Sequence, residues 1–188
     1  HDVLLKGRSE ASLAKAHKAI DKSLSKMVEK GKMEAAQKEA IIAKIKDTMA
    51  YEDCKDADLV IEVVAEDMNT KSEIFKTLDA VCKPEAVLAT NTSSLSITEI
   101  AATTNRPEKV IGMHFFNPVP MMKLVEVIKG QLTSQEVHDK IMALAAEIGK
   151  TPVSVNEAPG FVVNRILIPM INEGIGIYAD GVASKEEI

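Results

Sequence analysis

One histidine and one glutamate in this sequence have the residue types and the spacing for proton transfer. His114 follows the apolar run Val110 to Met113, which is typical of a short buried strand. Glu126 lies midway along Lys123 to Ile128, which is typical of the strand that returns. Two prolines lie between these strands and prevent the first from continuing, because each ring removes a backbone donor and restricts the residue before it. We therefore expect the two side chains to meet across a reversal of the chain.

Such a meeting would support acid–base chemistry. A carboxylate bound to one imidazole nitrogen fixes the tautomer, and the other nitrogen is then free to take a proton. The alternative is a core histidine that is satisfied locally, beside a glutamate on the surface. The pair alone does not decide between these interpretations, so the polar residues around it have to.

Two other polar positions stand where ligands bind in sheet proteins. The stretch TNTSS follows the apolar run Ala86 to Ala89, and small polar residues at the carboxyl end of a parallel strand are typical of ligand sites in open α/β sheets. Asn164 lies one turn into a helical pattern that follows Ala158-Pro159-Gly160. It has the type of a hydrogen-bonding core residue, but its place at a domain junction, where clefts form, favours a functional site.

The composition is that of a globular protein whose partners are small molecules or proteins. Hydrophobic residues make up 46% and charged residues 27% of the 188 residues, and the formal net charge is −5. That charge argues against nucleic-acid binding, because the lysines are spread along the chain and form no basic stripe. Cys54 and Cys82 have neither metal-ligand spacing nor a CxxC motif, so we expect reduced thiols, no metal site and a cytoplasmic location. No signal peptide and no membrane-spanning stretch is predicted.

Alternating strand and helix signals supply the framework for these residues. The predicted strands are His1–Leu5, Asp58–Val64, Ala86–Ala89, Lys109–Met113, Lys123–Ile128 and Thr151–Val155. The predicted helices are Glu10–Lys30 capped by Ser9, Met33–Ile45, Asn69–Val81, Ser96–Ala102, and one that is capped by Thr133 or Ser134 and stops at Gly149. The fold class is therefore α/β, with a doubly wound sheet.

The two ends of the chain give further expectations. Everything after Ala158 has a helical pattern with a nearly unbroken apolar run, and such a helix needs other helices to bury it. We therefore predict an α/β domain over residues 1–157 and the start of an α-helical domain over residues 158–188. The chain begins inside a predicted strand and without methionine, so we expect that upstream residues are absent.

Three stretches resemble the 3-hydroxyacyl-CoA dehydrogenase family, and within it the clostridial branch that acts on 3-hydroxybutyryl-CoA. They are ATNTSSLSITEIA (Ala89–Ala101), IGMHFFNPVPMMKLVEVI (Ile111–Ile128) and EAPGFVVNRILIPMINE (Glu157–Glu173), and the resemblance runs through the whole chain. It implies a Rossmann-like NAD(P) domain followed by a helical dimerisation domain, so that a homodimer or a higher homo-oligomer is expected. It also implies hydride transfer between NAD(P) and an acyl-CoA, which interconverts (S)-3-hydroxyacyl-CoA and 3-oxoacyl-CoA.

The resemblance assigns roles to individual residues. The family's catalytic histidine falls on His114 and its partner carboxylate on Glu126, while Ser93 and Asn164 match the residues that hold the substrate oxygen. The other matched positions are Glu66, Lys71, Asn91, Ser93 and Asn117 for the cofactor, and Ser23 and Lys30 on the first helix for coenzyme A. The lysines of that helix also have an ordinary interpretation as a solvated surface.

Two departures from the family pattern concern the cofactor. The family's first strand and its Gly-rich turn, which hold the pyrophosphate, are not found upstream of His1. Gly7 stands where NAD-dependent members usually carry an aspartate. Arg8 and Ser9, with the helix N-terminus behind them, suit a 2′-phosphate, so NADP is the favoured cofactor. If Arg8 is only a solvated loop charge, NAD bound through Glu66 and backbone groups is the alternative.

Two other functions stay open at this point. The chain could be a non-catalytic structural relative of the dehydrogenases, although the intact set of His114, Glu126, Ser93 and Asn164 argues against that. It could also be a dehydrogenase of a free hydroxy acid, for which contacts to coenzyme A would be unnecessary.

Overall fold

The first strand of the chain has a parallel partner that the sequence analysis did not predict. In a computed structural model that describes residues 1–188, β1 (Val3–Lys6) pairs with β2 (Ile45–Thr48). These strands belong with α1 (Glu10–Glu29) and α2 (Ala35–Ile42) to one unit, residues 1–58 and 80–84. The helix predicted over Met33–Ile45 was wrong at its carboxyl end. The observed helix ends at Ile42, because Ile45 begins β2 and pairs with Val3 of β1.

The turn from β1 into α1 is built by small residues. The Ser9 side chain accepts from the Ser12 backbone N–H, so the predicted cap is confirmed. A Cβ on Gly7 would lie 2.5 Å from Leu13 Cγ, which is closer than side-chain atoms approach one another. Packing of α1 against the end of β1 therefore requires glycine here.

A second unit, residues 59–79 and 85–188, contains a five-stranded sheet with the strands in chain order. The strands are β3 (Leu59–Glu62), β4 (Val87–Thr90), β5 (Val110–Phe115), β6 (Leu124–Lys129) and β7 (Thr151–Asn156). Neighbours are parallel except β5 and β6, which are antiparallel. The helices are α3 (Met68–Val81), α4 (Ile97–Ala101), α5 (Gln135–Glu147) and α6 (Val163–Ala179).

Residues along β5 show that helices cover both faces of this sheet. Ile111 and Met113 pack in one buried cluster with Ile141 of α5. Gly112, between them in sequence, points the other way, and a Cβ there would lie 2.9 Å from Ile97 of α4. Because successive strand residues face opposite sides, α4 and α5 lie on opposite faces. The predicted doubly wound arrangement is confirmed.

The last helix, α6, keeps much of its apolar surface exposed. It begins after Gly160, as predicted, and contains Pro169. Its exposed apolar side chains include Ile166, Ile168, Met170, Ile171, Ile175 and Tyr178. None of the helices is long and apolar enough to cross a membrane. The domain boundary at residue 157 and the cytoplasmic location stay predictions.

Candidate active site

The strands β5 and β6 place His114 directly opposite Glu126. The two residues are register partners in the antiparallel pair, and His114 Nδ1 lies 2.8 Å from Glu126 Oε2. Their side chains are 8% and 1% exposed. Because β5 extends through Phe115, past its predicted end, His114 is inside the strand and its position is fixed by the sheet. Nδ1 is bound to the carboxylate, so Nε2 is the nitrogen available for proton transfer.

The second oxygen of Glu126 binds the start of α6. Glu126 Oε1 accepts from the backbone N–H groups of Val162 and Val163, both at 3.0 Å. These are donors that the first turn of a helix cannot satisfy internally. The buried carboxylate thus has partners on both oxygens, and it joins the histidine to the helix that carries Asn164.

Two aromatic rings flank the imidazole of His114. The ring centroids of Phe116 and Phe161 lie 4.6 Å and 5.8 Å from that of His114, and both rings are tilted against it. Phe161 is 3% exposed and has a φ of 50°. A bulky residue in this left-handed region costs about 1–2 kcal/mol relative to ordinary backbone conformations. The sequence analysis missed Phe161, and its place directly after Pro159-Gly160 was the available signal.

The stretch TNTSS forms a loop around one carboxylate oxygen. Glu66 Oε1 accepts from Thr92 Oγ1 at 2.5 Å, from the Ser93 backbone N–H at 2.8 Å and from the Ser94 backbone N–H at 3.2 Å. The hydroxyls of Ser93 and Ser94 also lie 3.2 Å from it. Burial raises the pKa of Glu66, but these hydrogen bonds and the charge of Lys71 outweigh it and lower the pKa to about 2. Glu66 therefore orients the loop that carries Ser93.

Two hydrogen bonds hold predicted site residues near the ends of β4 and β5. Asn164 Nδ2 donates to the backbone oxygen of Ser93 at 3.2 Å. Asn91 Oδ1 accepts from the backbone N–H of Phe115 at 2.8 Å, which ties the end of β4 to the strand of His114. Asn164 thus contacts the backbone of Ser93, the other residue predicted to hold the substrate oxygen.

A buried ion pair between Lys71 and Glu62 lies next to Glu66. Lys71 Nζ lies 2.8 Å from Glu62 Oε1 and 3.5 Å from Glu66 Oε2, and the Lys71 and Glu62 side chains are 1% and 2% exposed. Glu62 also accepts from Val64 N–H and from Thr90 Oγ1. The sequence analysis gave Lys71 a cofactor role only and missed Glu62, although a single glutamate in the apolar run DLVIEVV was the signal for it. The cofactor role of Lys71 stays a prediction.

The other predicted site residues are Asn117 and four residues of the first unit. Asn117 is exposed beyond the end of β5. Arg8 and Ser9 are exposed in the first unit, at the start of α1. Ser23 is half-buried within α1 and Lys30 is the exposed residue that caps its end. Their separation of i to i+7 places them on one face of that helix, but their ligand contacts stay predictions.

Comparison with known proteins gives a family. A family model described as the NAD binding domain of 3-hydroxyacyl-CoA dehydrogenase matches residues 1–158. The model of the C-terminal domain of the same family matches residues 160–188. Both parts of the chain therefore match one family.

Individual relatives agree with this match. The chain is 62% identical to a 3-hydroxybutyryl-CoA dehydrogenase of Clostridioides difficile over all of its length and 67% of the relative's. It is 42% identical to the human mitochondrial hydroxyacyl-coenzyme A dehydrogenase, of which it covers 62%. The crystal structure of (S)-3-hydroxybutyryl-CoA dehydrogenase from Ralstonia eutropha superposes with a TM-score of 0.96 at 44% identity, over all of this chain and 66% of that one.

The matched relatives are longer than this chain, which spans 60% of a probable 3-hydroxybutyryl-CoA dehydrogenase from Bacillus subtilis at 54% identity. The NAD binding domain model nevertheless covers most of the chain, and the arrangement around His114 lies within it. This chain belongs to the 3-hydroxyacyl-CoA dehydrogenase family.

Proposed function

We propose that the protein interconverts (S)-3-hydroxyacyl-CoA and 3-oxoacyl-CoA, with (S)-3-hydroxybutyryl-CoA and acetoacetyl-CoA as the preferred pair. The observation that carries this proposal is the 2.8 Å contact between His114 Nδ1 and Glu126 Oε2. The names of the relatives from Clostridioides difficile and Ralstonia eutropha support the choice of substrate.

His114 moves the proton at the substrate oxygen. In the oxidation direction its neutral imidazole takes the hydroxyl proton on Nε2, and Glu126 stabilises the imidazolium that forms. In the reduction direction the imidazolium returns that proton. Positioned acid–base groups of this kind contribute about 100- to 10,000-fold to the rate. The nicotinamide, when bound, supplies the hydride acceptor or donor.

Ser93 and Asn164 hold the reacting oxygen. The Asn164 amide has one N–H on the Ser93 backbone oxygen, and its second N–H is available for a substrate oxygen. The Ser93 hydroxyl lies in the loop that Glu66 orients. Fixing the oxygen between these groups presents the neighbouring carbon for hydride transfer.

The polar residues at this end of the sheet fit a nicotinamide nucleotide. The Glu66 side chain is 36% exposed and its Oε2 lies 3.5 Å from the Lys71 ammonium, so this oxygen can accept from ribose hydroxyls. We assign Glu66, Asn91, Ser93 and Asn117 to the nicotinamide and its ribose. Lys71 would compensate the negative charge of Glu66. Hydroxyl, amide and carboxylate groups are the partners that a ribose and a carboxamide require.

We infer that NADP is preferred over NAD. Arg8 is exposed shortly after the end of β1. Lys6 lies two residues before Arg8, with its Nζ 3.8 Å from the centroid of the Tyr51 ring. The contact of Gly7 with Leu13 leaves no room for an aspartate that would repel a phosphate. Arg8 and Ser9 are therefore assigned to the 2′-phosphate, and Ser23 and Lys30 on α1 to coenzyme A.

The exposed apolar residues of α6 support self-association. Ile166 and Met170 are 64% and 61% exposed, and a helix surface of this kind is buried by packing on other helices. We assign this surface to helical packing in a homodimer or a higher homo-oligomer. Sedimentation of the complete protein measures the assembly directly.

The test is an assay of the complete protein that follows nicotinamide absorbance. Acetoacetyl-CoA and acetoacetate are compared as substrates, each with NADPH and NADH. We expect turnover with acetoacetyl-CoA and little with acetoacetate. Equal turnover of the two would indicate a dehydrogenase of free acids, and no turnover of either would indicate a non-catalytic relative.

A further inference from the structure

We propose that Phe161 is a positioning residue for His114, and that its left-handed backbone is retained because it places both the phenyl ring and the helix donors around the catalytic pair. This inference deepens the proposed dehydrogenase function and rests on it. Phe161 touches neither hydride nor proton; it acts through the imidazole and the carboxylate.

The backbone at Phe161 is unusual within the chain. Over residues 1–188 it is the one residue other than glycine with a positive φ, 50°, and it follows Gly160, whose φ is 74°. Glycine would adopt this conformation without steric cost, whereas a bulky side chain persists there only where the surroundings determine it. A phenyl ring at such a position therefore indicates that the ring itself is needed.

The ring lies against the group that moves the proton. Phe161 is 3% exposed, and its centroid is 5.8 Å from that of His114 at an interplanar angle of 58°. Phe116 lies at 4.6 Å and 53°. With Nδ1 held by Glu126, these rings limit rotation of the imidazole, so the direction of Nε2 is fixed.

The same turn places the donors on Glu126. The residues directly after Phe161 are Val162 and Val163, whose N–H groups each donate to Glu126 Oε1 at 3.0 Å. An extended backbone at Phe161 would send the chain in another direction and remove both donors. One left-handed residue thus sets the ring on the histidine and the hydrogen bonds on its partner carboxylate.

A purely structural interpretation predicts different behaviour. If Phe161 only fills the core, its loss lowers stability and leaves each folded molecule fully active. If it positions His114, its loss lowers kcat, leaves the KM for the nicotinamide nearly unchanged, and alters the titration of the imidazole. Glu126 is the titratable side chain in contact with His114, so a change in the titration of the imidazole reports on this pair.

The experiment uses four variants of the complete protein. Phe161→Leu removes the ring, Phe161→Tyr keeps it, Phe116→Leu removes the other ring, and Phe75→Leu is the matched control in a fully buried core position. Measurements are kcat and KM per folded molecule, and the ¹⁵N shifts of the His114 ring nitrogens across pH, which report tautomer and titration without any turnover.

We expect Phe161→Leu to lower kcat by about 10- to 100-fold, because misplacement of a catalytic group by about an ångström has effects of that size. Its His114 titration should differ from that of the unaltered protein, Phe161→Tyr should restore both, and Phe75→Leu should change neither. If Phe161→Leu does not fold, a lower kcat in Phe116→Leu with normal behaviour of Phe161→Tyr supports the proposal.

Three results would overturn it: unchanged kcat and titration in Phe161→Leu, an equal loss in Phe75→Leu, or, if Phe161→Leu does not fold, unchanged kcat in Phe116→Leu. Absence of dehydrogenase turnover in the unaltered protein would instead reject the proposed function. The ¹⁵N titration would still decide whether Phe161 fixes the imidazole.

Discussion

The carboxyl ends of the two sheets carry their polar residues in different ways. At the five-stranded sheet, charged side chains are buried with partners: Glu126, 1% exposed, contacts His114, and Lys71, also 1% exposed, contacts Glu62. At the end of β1, Arg8 and Ser9 are exposed, and Lys6 rests on a tyrosine ring. Acid–base chemistry requires groups held in place before the substrate arrives. Discrimination between two cofactors requires only a charge that the ligand can meet.

The difference also decides what a substitution does. Removing one member of a buried, fully bonded set leaves a polar group without a partner, and the cost is large. Removing an exposed charge leaves only solvent behind, so the fold is unaffected and the effect is confined to binding. Substitutions of the buried residues should therefore change stability or kcat, whereas substitutions of the exposed residues after β1 should change only ligand binding.

The largest expected effect is the loss of His114, the proposed proton carrier. His114→Gln in the complete protein should lower kcat by about 100-fold or more, with cofactor affinity nearly unchanged, because glutamine cannot take a proton from the substrate. The matched control is His138→Gln, at a histidine that is equally buried and bound to Ser154. Near wild-type turnover in His114→Gln, or an equal loss in the control, would reject the assignment.

The buried ion pair should dominate stability. Lys71→Met leaves Glu62 buried without its partner, and breaking a pair in this way costs about 3–5 kcal/mol in the free energy of unfolding. Lys76→Met, on the same helix but 53% exposed in its pair with Glu73, should cost about 1 kcal/mol or less. Denaturant unfolding of both variants measures the difference. Similar losses would mean that burial does not set the strength of these pairs.

Asn164 should give an intermediate effect on activity. Asn164→Ala removes the proposed donor to the substrate oxygen but keeps the proposed proton carrier, so we expect kcat to fall about 10- to 1,000-fold. Asn105→Ala, which removes an exposed amide that donates to Asp79, should leave kcat unchanged. If Asn164→Ala is destabilised but fully active per folded molecule, the residue has a structural role through its bond to Ser93.

The contact between His114 and Glu126 could be predicted from the sequence because it depends on local rules. An apolar run, two prolines and a second apolar run predict a reversal that lets the two side chains meet, and the structure pairs the strands in a register that places His114 opposite Glu126. The doubly wound sheet followed in the same way from alternating patterns. The helix over Met33–Ile45 was partly wrong because the pairing of β2 with β1 brings together segments distant in sequence.

Other parts of the site depend on features that periodicity does not contain. Glu62 has the pattern of a residue interrupting a buried strand, and only the fold shows Lys71 reaching it. The left-handed conformation of Phe161 is atypical of its residue type, so propensity argues against it. Gly7 was interpreted through the cofactor alone, whereas its contact with Leu13 gives it a second reason. All three features involve contacts between different elements of the fold, which sequence periodicity does not contain.

At the exposed sheet end, Arg8→Ala should change cofactor choice without changing the fold. If Arg8 binds the 2′-phosphate, its removal should lower the ratio of kcat/KM for NADPH over NADH by about 10-fold, the low end for a charge-assisted hydrogen bond because the site is exposed. Lys18→Ala, exposed on α1, controls for loss of a nearby positive charge. A preference for NADH before substitution, or an unchanged ratio after it, would contradict the assignment.

Glu66 is intermediate between the buried and the exposed groups, because it contacts the buried Lys71 and its own side chain is 36% exposed. Its pKa in the folded protein is about 2, against an ordinary value of 4.5. The unfolded chain therefore binds the proton more readily, so the stability that Glu66 contributes is fully present above about pH 4.5 and is lost as the pH falls toward 2.

Glu66→Gln should remove this part of the acid sensitivity, and Glu85→Gln, at an exposed position, should retain it. Denaturant unfolding between pH 7 and pH 3 measures the slope for each protein, and the expected change is small because solvent screens a half-exposed carboxylate. A slope in Glu66→Gln equal to that of the unaltered protein would mean that the hydrogen bonds of the TNTSS loop are no stronger than those the carboxylate makes with water.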